Sequence, residues 1–555
     1  MDVNVRIAGE AGQGVQTTGN LLVGAFARAG MHVFSSQSYM SRIRGGMNWF
    51  DVRIGDEELF SGRRRADLLV ALTGEALEAL RGQLAGGGVA LFDGSEARGA
   101  QALPFTDAAR QTGGSAVMAN TVAAGAVFTV LGLPLDDLSA HLEVLFKKKD
   151  REVVEKNLLC ARRGAELAAA LAGKVEAPGT GGAPRDVCNA ASAVGLAAAT
   201  AGVKLVTAYP MTPSTAVFAY LAGVAEEYGI VVEQAEDEIA AVNMICGAAY
   251  AGVPAMATTS GGGFALMTEG VSLAGMMELP IFILVSQRPG PATGLPTRTA
   301  QQDLNLVLHA GHGEFPRAIY APGTAAQAYE LTRRGLQTAH KFQSPAFILT
   351  DQYLIDAQTN GAALDRSLRP IDLHVVAEPA DDYVRYAGAS SGVSPRAVPG
   401  GGALVVCDSD EHDEAGHITE DVRVRVRQQD KRLAKLEPMT AEALPPQLHG
   451  PGDAATLMIC WGSTYGPCRE ATDALNAAGL PTGMLHFGQL WPLNVGRAAA
   501  EAIARAKRIV CIEGNCTGQF AAILRQQGIL SGCELMTRYD GMPFTGEEIV
   551  ERIRS

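Results

Sequence analysis

The amino-acid sequence predicts an α/β protein of several domains, three α/β domains with mainly parallel sheets. Three observations predict it. Short apolar runs alternate with longer Ala-rich stretches of helical period, the pattern of strands joined by crossover helices. Glycine-rich turns follow several of those runs directly, as they do where a strand hands the chain to a helix. The length of 555 residues exceeds what one core organises and accommodates three or four domains at about 150 residues each.

The first block, 1–172, opens with a strand over 3–8, a glycine-rich turn and a helix over 18–28, with further strands at 68–72 and 89–93. The segment GKVEAPGTGGAPRD, 173–186, has no apolar period and reads as a linker. The second block, 187–365, repeats the alternation more strongly. Its strands fall at 204–208, 230–233, 255–259, 281–286, 317–320 and 346–350, with helices such as 239–250 between them. Such a doubly wound sheet binds ligands at the carboxyl ends of its strands. A stretch over 366–452, containing GASSGVSPRAVPGGG and CDSDEHDEAGHITED, reads as an irregular connection. The third block, 453–555, has strands at 456–460, 483–487 and 508–513 and forms a smaller α/β domain.

Composition narrows the function. Forty-six Lys and Arg against 59 Asp and Glu leave a net charge of −13, which argues against general nucleic-acid binding. It does not exclude a local basic pocket for a small anion. No apolar run reaches the roughly 18–20 residues of a membrane span, and the start MDVNVRIAGEAGQG lacks the charged and apolar regions of a leader. The expected location is the cytoplasm. The nine cysteines include no C-x-x-C pair, so neither a disulfide framework nor a ferredoxin-type cluster is expected, and most read as small buried apolar residues. Cys511 and Cys516, the one close pair, have a spacing that fits no common metal site.

Several strand ends could carry chemistry. The turn Gly9-Glu10-Ala11-Gly12-Gln13-Gly14 offers helix N–H groups to an anion, or is a tight packing turn; it is G-x-x-G-x-G rather than the dinucleotide pattern. Arg42 and Arg44 beside Gly45 and Gly46 could clamp a phosphate or form a solvated basic loop. In Tyr209-Pro210-Met211-Thr212-Pro213-Ser214-Thr215, two prolines stiffen the loop around Thr212, suiting carboxylate binding or a plain turn with an N-cap. Glu236 and Asp237 are ordinary first-turn dipole partners, whereas Glu238 precedes Ile239-Ala240-Ala241-Val242 and is expected to be partly buried. A carboxyl group so placed can hydrogen-bond a heterocyclic nitrogen. Ser260-Gly261-Gly262-Gly263 reads as a strand end and bare glycine loop, open to a ligand ring or merely flexible. Arg288, just past a strand, can grip a carboxylate in two-pronged fashion or form a surface ion pair.

Taken in order, GEAGQG with SYMSRIRGG, AYPMTPST, EDEIAAVNMICGAAYAG, ATTSGGGFALMTEG, RPGPATGLPT, DSDEHDEAGHITED, WGSTYGPCREA and HFGQLWP resemble the 2-oxoacid:ferredoxin oxidoreductases. The likeness spans almost the whole chain and is greatest to the α subunit of the 2-oxoglutarate enzymes with a fused N-terminal γ-type domain. It implies a γ-type domain at 1–172, a thiamine diphosphate (TPP) pyrimidine-binding domain at 187–365 and a transketolase C-terminal-like domain at 453–555. The implied reaction converts a 2-oxoacid, CoA and oxidised ferredoxin to acyl-CoA, carbon dioxide and reduced ferredoxin, with succinyl-CoA as the product from 2-oxoglutarate.

The resemblance also implies residue roles. Glu238 would contact the aminopyrimidine ring and activate the cofactor. Thr212, Arg288 and Thr297 would bind the substrate carboxylate. Tyr209, Pro210, Ser260, Gly261 and Gly262 would complete the cofactor site, and Gly12, Gly14, Arg42 and Arg44 would contact CoA. Ala11 replaces a glycine of the γ-type turn, and Met211 replaces the Ile of Y-P-I-T-P at equal volume. The chain has no G-D-G with a downstream Asn for magnesium and diphosphate, and no cysteine set for an iron–sulfur cluster. The family places both on a separate β subunit, so a shared active site, a large αβ interface and a dimer of αβ units are expected, with no metal on this chain. Pyruvate, branched-chain or aryl 2-oxoacids are alternative substrates, and a non-catalytic scaffold is the alternative of another class. A distal carboxylate would want a second cation, for which Arg298, His309, His312 and Arg317 are candidates.

Overall fold

A computed structural model describes residues 1–40, 46–97, 99–361 and 363–555. The chain forms two compact units. The first comprises Met1–Asn189, Asp356–Ala363 and Thr545–Ser555, and the second comprises Ala190–Ile355 and Leu364–Phe544.

The first unit is built on an eight-stranded sheet in the order Gln101–Ala102, Leu84–Phe92, Ala66–Ala71, Asp2–Glu10, Met47–Gly55, His32–Ser38, Gln358–Thr359, Cys188–Asn189. Asp2–Glu10 runs parallel to Ala66–Ala71 but antiparallel to Met47–Gly55. The sheet is therefore mixed, where the sequence pattern predicts mainly parallel strands. Of the two unanticipated strands, His32–Ser38 and Met47–Gly55, the second buries charge that hydropathy counts against burial. Arg6 Nε donates to Asp51 Oδ1 at 2.7 Å with both side chains buried. Helices Val15–Arg28 and Ala119–Val130 cover the sheet, with Phe26 and Phe128 stacked at 5.1 Å. The expected linker packs on this unit: the N–H groups of Gly173, Val175, Gly181 and Arg185 donate to the carbonyls of Thr129, Val130, Ala29 and Ala27.

The second unit holds two sheets. One has seven strands in the order Gln489–Trp491, Ala318–Tyr320, Ala346–Asp351, Phe282–Gln287, Ala255–Ser260, Leu205–Ala208, Val231–Gln234. Only the Gln489–Trp491 edge is antiparallel; the rest form parallel pairs. Ala255–Ser260, Phe282–Gln287 and Ala346–Asp351 are buried along their whole length, as strands covered on both faces must be. That is why continuous apolar runs mark them. The other sheet runs Gln447–His449, Thr482–Phe487, Thr456–Trp461, Arg508–Glu513, Glu534–Thr537. Because Gln489–Trp491 completes the edge of the larger sheet, the second and third sequence blocks fold together.

The 366–452 region, expected to be irregular, contains helices Val422–Ala434 and Leu436–Ala441. The first is capped by Asp421, whose Oδ1 accepts from the N–H groups of Arg423 and Val424 at 2.7 and 3.1 Å. It buries Lys431, and Lys435 just past its end, against Glu278, at 2.6 and 2.5 Å. Among the described residues no helix is long and apolar enough to cross a membrane, and no group of three or more His, Cys, Asp or Glu is placed to hold a metal ion.

Candidate active site

Parallel strands deliver their carboxyl ends to one edge of the seven-stranded sheet, and the predicted site residues of the second block leave from there. After Leu205–Ala208 the chain passes exposed Tyr209 and half-buried Pro210, Met211 and Thr212 before helix Thr215–Tyr228 begins. Ser214 does not cap that helix; its Oγ donates to Met211 O at 2.8 Å and closes the loop. Arg288 follows Phe282–Gln287 directly, and its Nη1 donates to Thr212 O at 2.8 Å. The structure thus joins Thr212 and Arg288, which lie far apart in sequence. Burial lowers the Arg288 pKa, and the charge of Asp303 opposes that shift.

Glu238 is the first residue of helix Glu238–Tyr250, with Asp237 as N-cap: Asp237 Oδ1 accepts from Ala240 N–H at 2.7 Å. The helix is pinned to the sheet by Thr207 Oγ1, which donates to Ala241 O at 2.9 Å. Glu238 is only 3% exposed, and its Oε1 is buried with no hydrogen-bond partner.

The three glycines do not form a bare loop. Strand Ala255–Ser260 passes straight into helix Gly261–Leu266. Their small size serves packing rather than flexibility. A Cβ on Gly263 would overlap Glu238 Oε1 and Thr259 Oγ1 and lie 2.8 Å from Glu238 Cδ; one on Gly261 would lie 2.6 Å from Asp303 Oδ1. Gly262 is exposed, and the nearest atom to its Cβ position is Met211 Sδ at 4.0 Å. The turn therefore carries a buried carboxyl group on either side and an open face between them. Ser260 Oγ and Asp303 Oδ2 are also buried without partners.

Asp303 is the site residue that the sequence does not single out. In QQDLN it reads as an ordinary residue ahead of a short helix, and only tertiary packing reveals its setting. Burial pushes its carboxyl group up to about 6, against the pull of Arg288. Its position is fixed by its neighbours. Asp303 N–H donates to Gln287 Oε1 at 3.0 Å, and Gln302 Nε2 donates to Arg288 O at 3.2 Å. Gln301 ties the same segment to the second sheet, its Nε2 donating to Trp461 O at 2.7 Å and its Oε1 accepting from Gly514 N–H at 2.8 Å.

The remaining predicted residues are placed as follows. Thr297 is half-buried in the loop after Arg288. Of the candidate second cations, Arg317 is committed to structure: its buried guanidinium donates to Val307 O and Ala310 O at 3.0 and 2.7 Å. Arg298 Nη1 lies 3.8 Å from Met542 Sδ, and His309 and His312 are exposed. Gly12 and Gly14 belong to the first unit. Gly14 caps helix Val15–Arg28 at φ 83°, and a Cβ there would overlap the Asn120 side chain, whereas Gly12 faces open space. Arg42 and Arg44 lie outside the described residues.

Residues 196–431 match the family model described as pyruvate flavodoxin/ferredoxin oxidoreductase, thiamine diphosphate-binding, and residues 4–167 match pyruvate ferredoxin/flavodoxin oxidoreductase. The chain is similar to the α subunit of 2-oxoacid:ferredoxin oxidoreductase 2 from Aeropyrum pernix, at 27% identity over 100% of this chain and 97% of that one. It is 29% identical to the 2-oxoglutarate oxidoreductase subunit KorA of Mycobacterium tuberculosis, over 100% of this chain and 91% of that one. A solved structure of 2-oxoglutarate:ferredoxin oxidoreductase from Magnetococcus marinus, with 2-oxoglutarate, coenzyme A and succinyl-CoA bound, superposes with a TM-score of 0.92 at 31% identity, covering 100% of this chain and 99% of that one.

Proposed function

The chain belongs to the 2-oxoacid:ferredoxin oxidoreductases as a TPP-dependent catalytic subunit, and we propose that its own reaction is the CoA-acylating oxidation of 2-oxoglutarate to succinyl-CoA and carbon dioxide, or the reverse. The observation that carries this reading is the meeting, at one sheet edge, of Glu238 with its buried, unpartnered Oε1, the open glycine turn and Arg288. The substrate choice is supported by the named activity of the Mycobacterium tuberculosis relative and the ligands of the Magnetococcus marinus structure.

The residues fit the cofactor. Glu238 Oε1, buried and without a partner, can hold a proton against a pyrimidine ring nitrogen, and Gly263 leaves room for that carboxyl group. Ser260 Oγ, Gly261 and Gly262 line the same approach, with Tyr209 and Pro210 on the neighbouring loop. When bound, TPP supplies the carbon nucleophile that attacks the 2-oxo carbon. Arg288 uses one Nη1–H on Thr212 O and keeps its other N–H donors for the substrate carboxylate. Together with the Thr212 hydroxyl and Thr297 it holds that carboxylate in line until carbon dioxide leaves.

The rest of the machinery is assigned to partners. The rim of the site is apolar and uncovered, with Tyr209, Ile239, Met244 and Leu266 exposed by 42, 49, 39 and 51%. A β subunit carrying the diphosphate and Mg2+ site and the iron–sulfur cluster fits over it, in a dimer of αβ units that reduces ferredoxin. CoA is assigned to Gly12 and Gly14 with Arg42 and Arg44. The test is expression with and without the β subunit and a panel of 2-oxoacids with CoA and viologen. Turnover requires both chains and is fastest with 2-oxoglutarate; a faster rate with pyruvate, branched-chain or aryl 2-oxoacids overturns the substrate, and full turnover by the isolated chain overturns the shared site.

A further inference from the structure

Three features place a second carboxyl group at the mouth of this site. Asp303 Oδ2 is buried without a partner. The side chain lies against Gly261, on the opposite flank of the glycine turn from Glu238. The Asp303 and Gln302 hydrogen bonds to Gln287 and Arg288 lock it to the strand end that carries the arginine. Yet among the described residues no ion pair or hydrogen bond joins Asp303 to Arg288, and one Arg288 Nη1–H goes to Thr212 O instead. Were the pair purely structural, it would close into the charge-assisted bond that stabilises buried carboxylates elsewhere in this chain, as Glu278 does with Lys431 at 2.6 Å.

We propose that Asp303 is a positioning residue that couples oxoacid binding to proton uptake: its carboxyl group is the counter-charge to Arg288 in the free site and takes a proton from solvent when the substrate carboxylate enters. The inference rests on the reading that Arg288 receives that carboxylate. Arg288 is the charged group that bears on Asp303. Gly261 from the helix beside it, Gln287 from the strand and Gln519 from the C-terminal half, whose Nε2 donates to Gln302 O at 2.7 Å, are uncharged; Asn305 on its own helix is neutral, and Glu238 lies across the glycine turn.

An incoming carboxylate cancels the one positive charge that favours ionised Asp303 and adds a negative charge beside it, in a space already poor in water. Both changes favour the neutral acid. The protonated Asp303 then leaves the full charge of Arg288 to the substrate. The sign follows: affinity for the oxoacid weakens as pH rises above the free-site titration near 6. If binding moves that titration by about one pH unit, the dissociation constant rises about four-fold between pH 6 and 7.5.

The experiment is calorimetric titration of the αβ complex with oxamate, which carries the carboxylate and 2-oxo oxygen common to 2-oxoacids and is not decarboxylated. Buffers of different ionisation enthalpy report the protons taken up. Wild type is expected to take up about half a proton near pH 6.5, with affinity falling several-fold from pH 6 to 7.5. Asp303→Asn is expected to bind with no uptake and no pH slope. Binding by wild type without uptake overturns the inference whatever the variant does, as does equal uptake in both proteins. If oxamate binds equally to wild type and Arg288→Met, the oxoacid reading itself fails, which is a separate result.

Discussion

Gly263→Ala is the sharpest test of the site. Glycine inside a helix costs about 0.5–1 kcal/mol relative to alanine, so on helix propensity alone the substitution stabilises Gly261–Leu266. The site predicts the opposite for activity. The added methyl group would overlap Glu238 Oε1 and Thr259 Oγ1 and lie 2.8 Å from Glu238 Cδ. Thr259 is fixed in a fully buried strand, so the carboxyl group must withdraw by about 1 Å. A displacement of that size in a positioning group costs about 100-fold in rate, or about 2.7 kcal/mol of activation free energy. The assay is 2-oxoacid-dependent viologen reduction by the αβ complex, with thermal melting of the same preparation. The expected outcome is an assembled complex whose kcat is about 100-fold lower while its melting temperature is little changed. Full activity in a folded complex would refute the argument that Glu238 must stand where the glycine admits it.

Other outcomes follow from the same geometry. Glu238→Gln keeps the volume and removes the carboxyl proton, so turnover should fall by about 100-fold or more with αβ assembly intact on gel filtration. Arg288→Lys keeps the charge and loses the bond to Thr212 O; loss of a charged hydrogen bond is worth about 1.5–3 kcal/mol, so kcat/KM for the 2-oxoacid should drop about 10- to 150-fold. Glu278→Gln leaves the buried Lys431 and Lys435 without their anion and should destabilise the chain by about 3–5 kcal/mol in urea unfolding. Asp303, raised from 3.8 to about 6, binds more protons folded than unfolded between those values. Its contribution to stability is present below the lower value and lost as pH climbs through the upper one, so Asp303→Asn should stabilise the complex by about 3 kcal/mol at pH 7.5, read by thermal melts at pH 4.5 and 7.5.

What could be read from sequence, and what could not, divides along the physics of burial. Ala255–Ser260, Phe282–Gln287 and Ala346–Asp351 are buried on both faces, so local hydrophobicity is the same thing as their tertiary setting. Met47–Gly55 is nearly as buried along its second half, but its Asp51 and Arg53 are held there by Arg6 and Asp2, partners remote in sequence. The helix Val422–Ala434 inverts the local signal: VRVRVR alternates with the period of a strand, yet Asp421 caps it and Glu278 and Glu411 neutralise its buried Lys431 and Arg432. At the site, Glu238 stands out because apolar residues follow it immediately. Thr212 and Arg288 stand out as strand-end residues, but their mutual bond is long-range. Asp303 has no local mark at all, since what distinguishes it is Gly261 packing against it.

The contrast between two buried carboxyl groups explains why the open one carries function. Glu513 sits at the carboxyl end of its own strand, 1% exposed. It is saturated, accepting from Trp461 Nε1, Asn515 Nδ2, Phe520 N–H and Ala521 N–H at 3.2, 2.8, 3.0 and 2.9 Å. Such a group organises the fold and has no capacity left for a ligand. Glu238 Oε1, Ser260 Oγ and Asp303 Oδ2 are buried about one glycine turn with no partner, and each unsatisfied group costs about 1–3 kcal/mol. A fold that can saturate Glu513 could equally have closed these. Three such groups around one turn suit an occupant that supplies their partners, so the cost of their burial is recovered on binding. Thermal melts of the αβ complex with and without TPP should then separate wild type from Glu238→Leu, the first shifting upward with the cofactor and the second losing most of that shift.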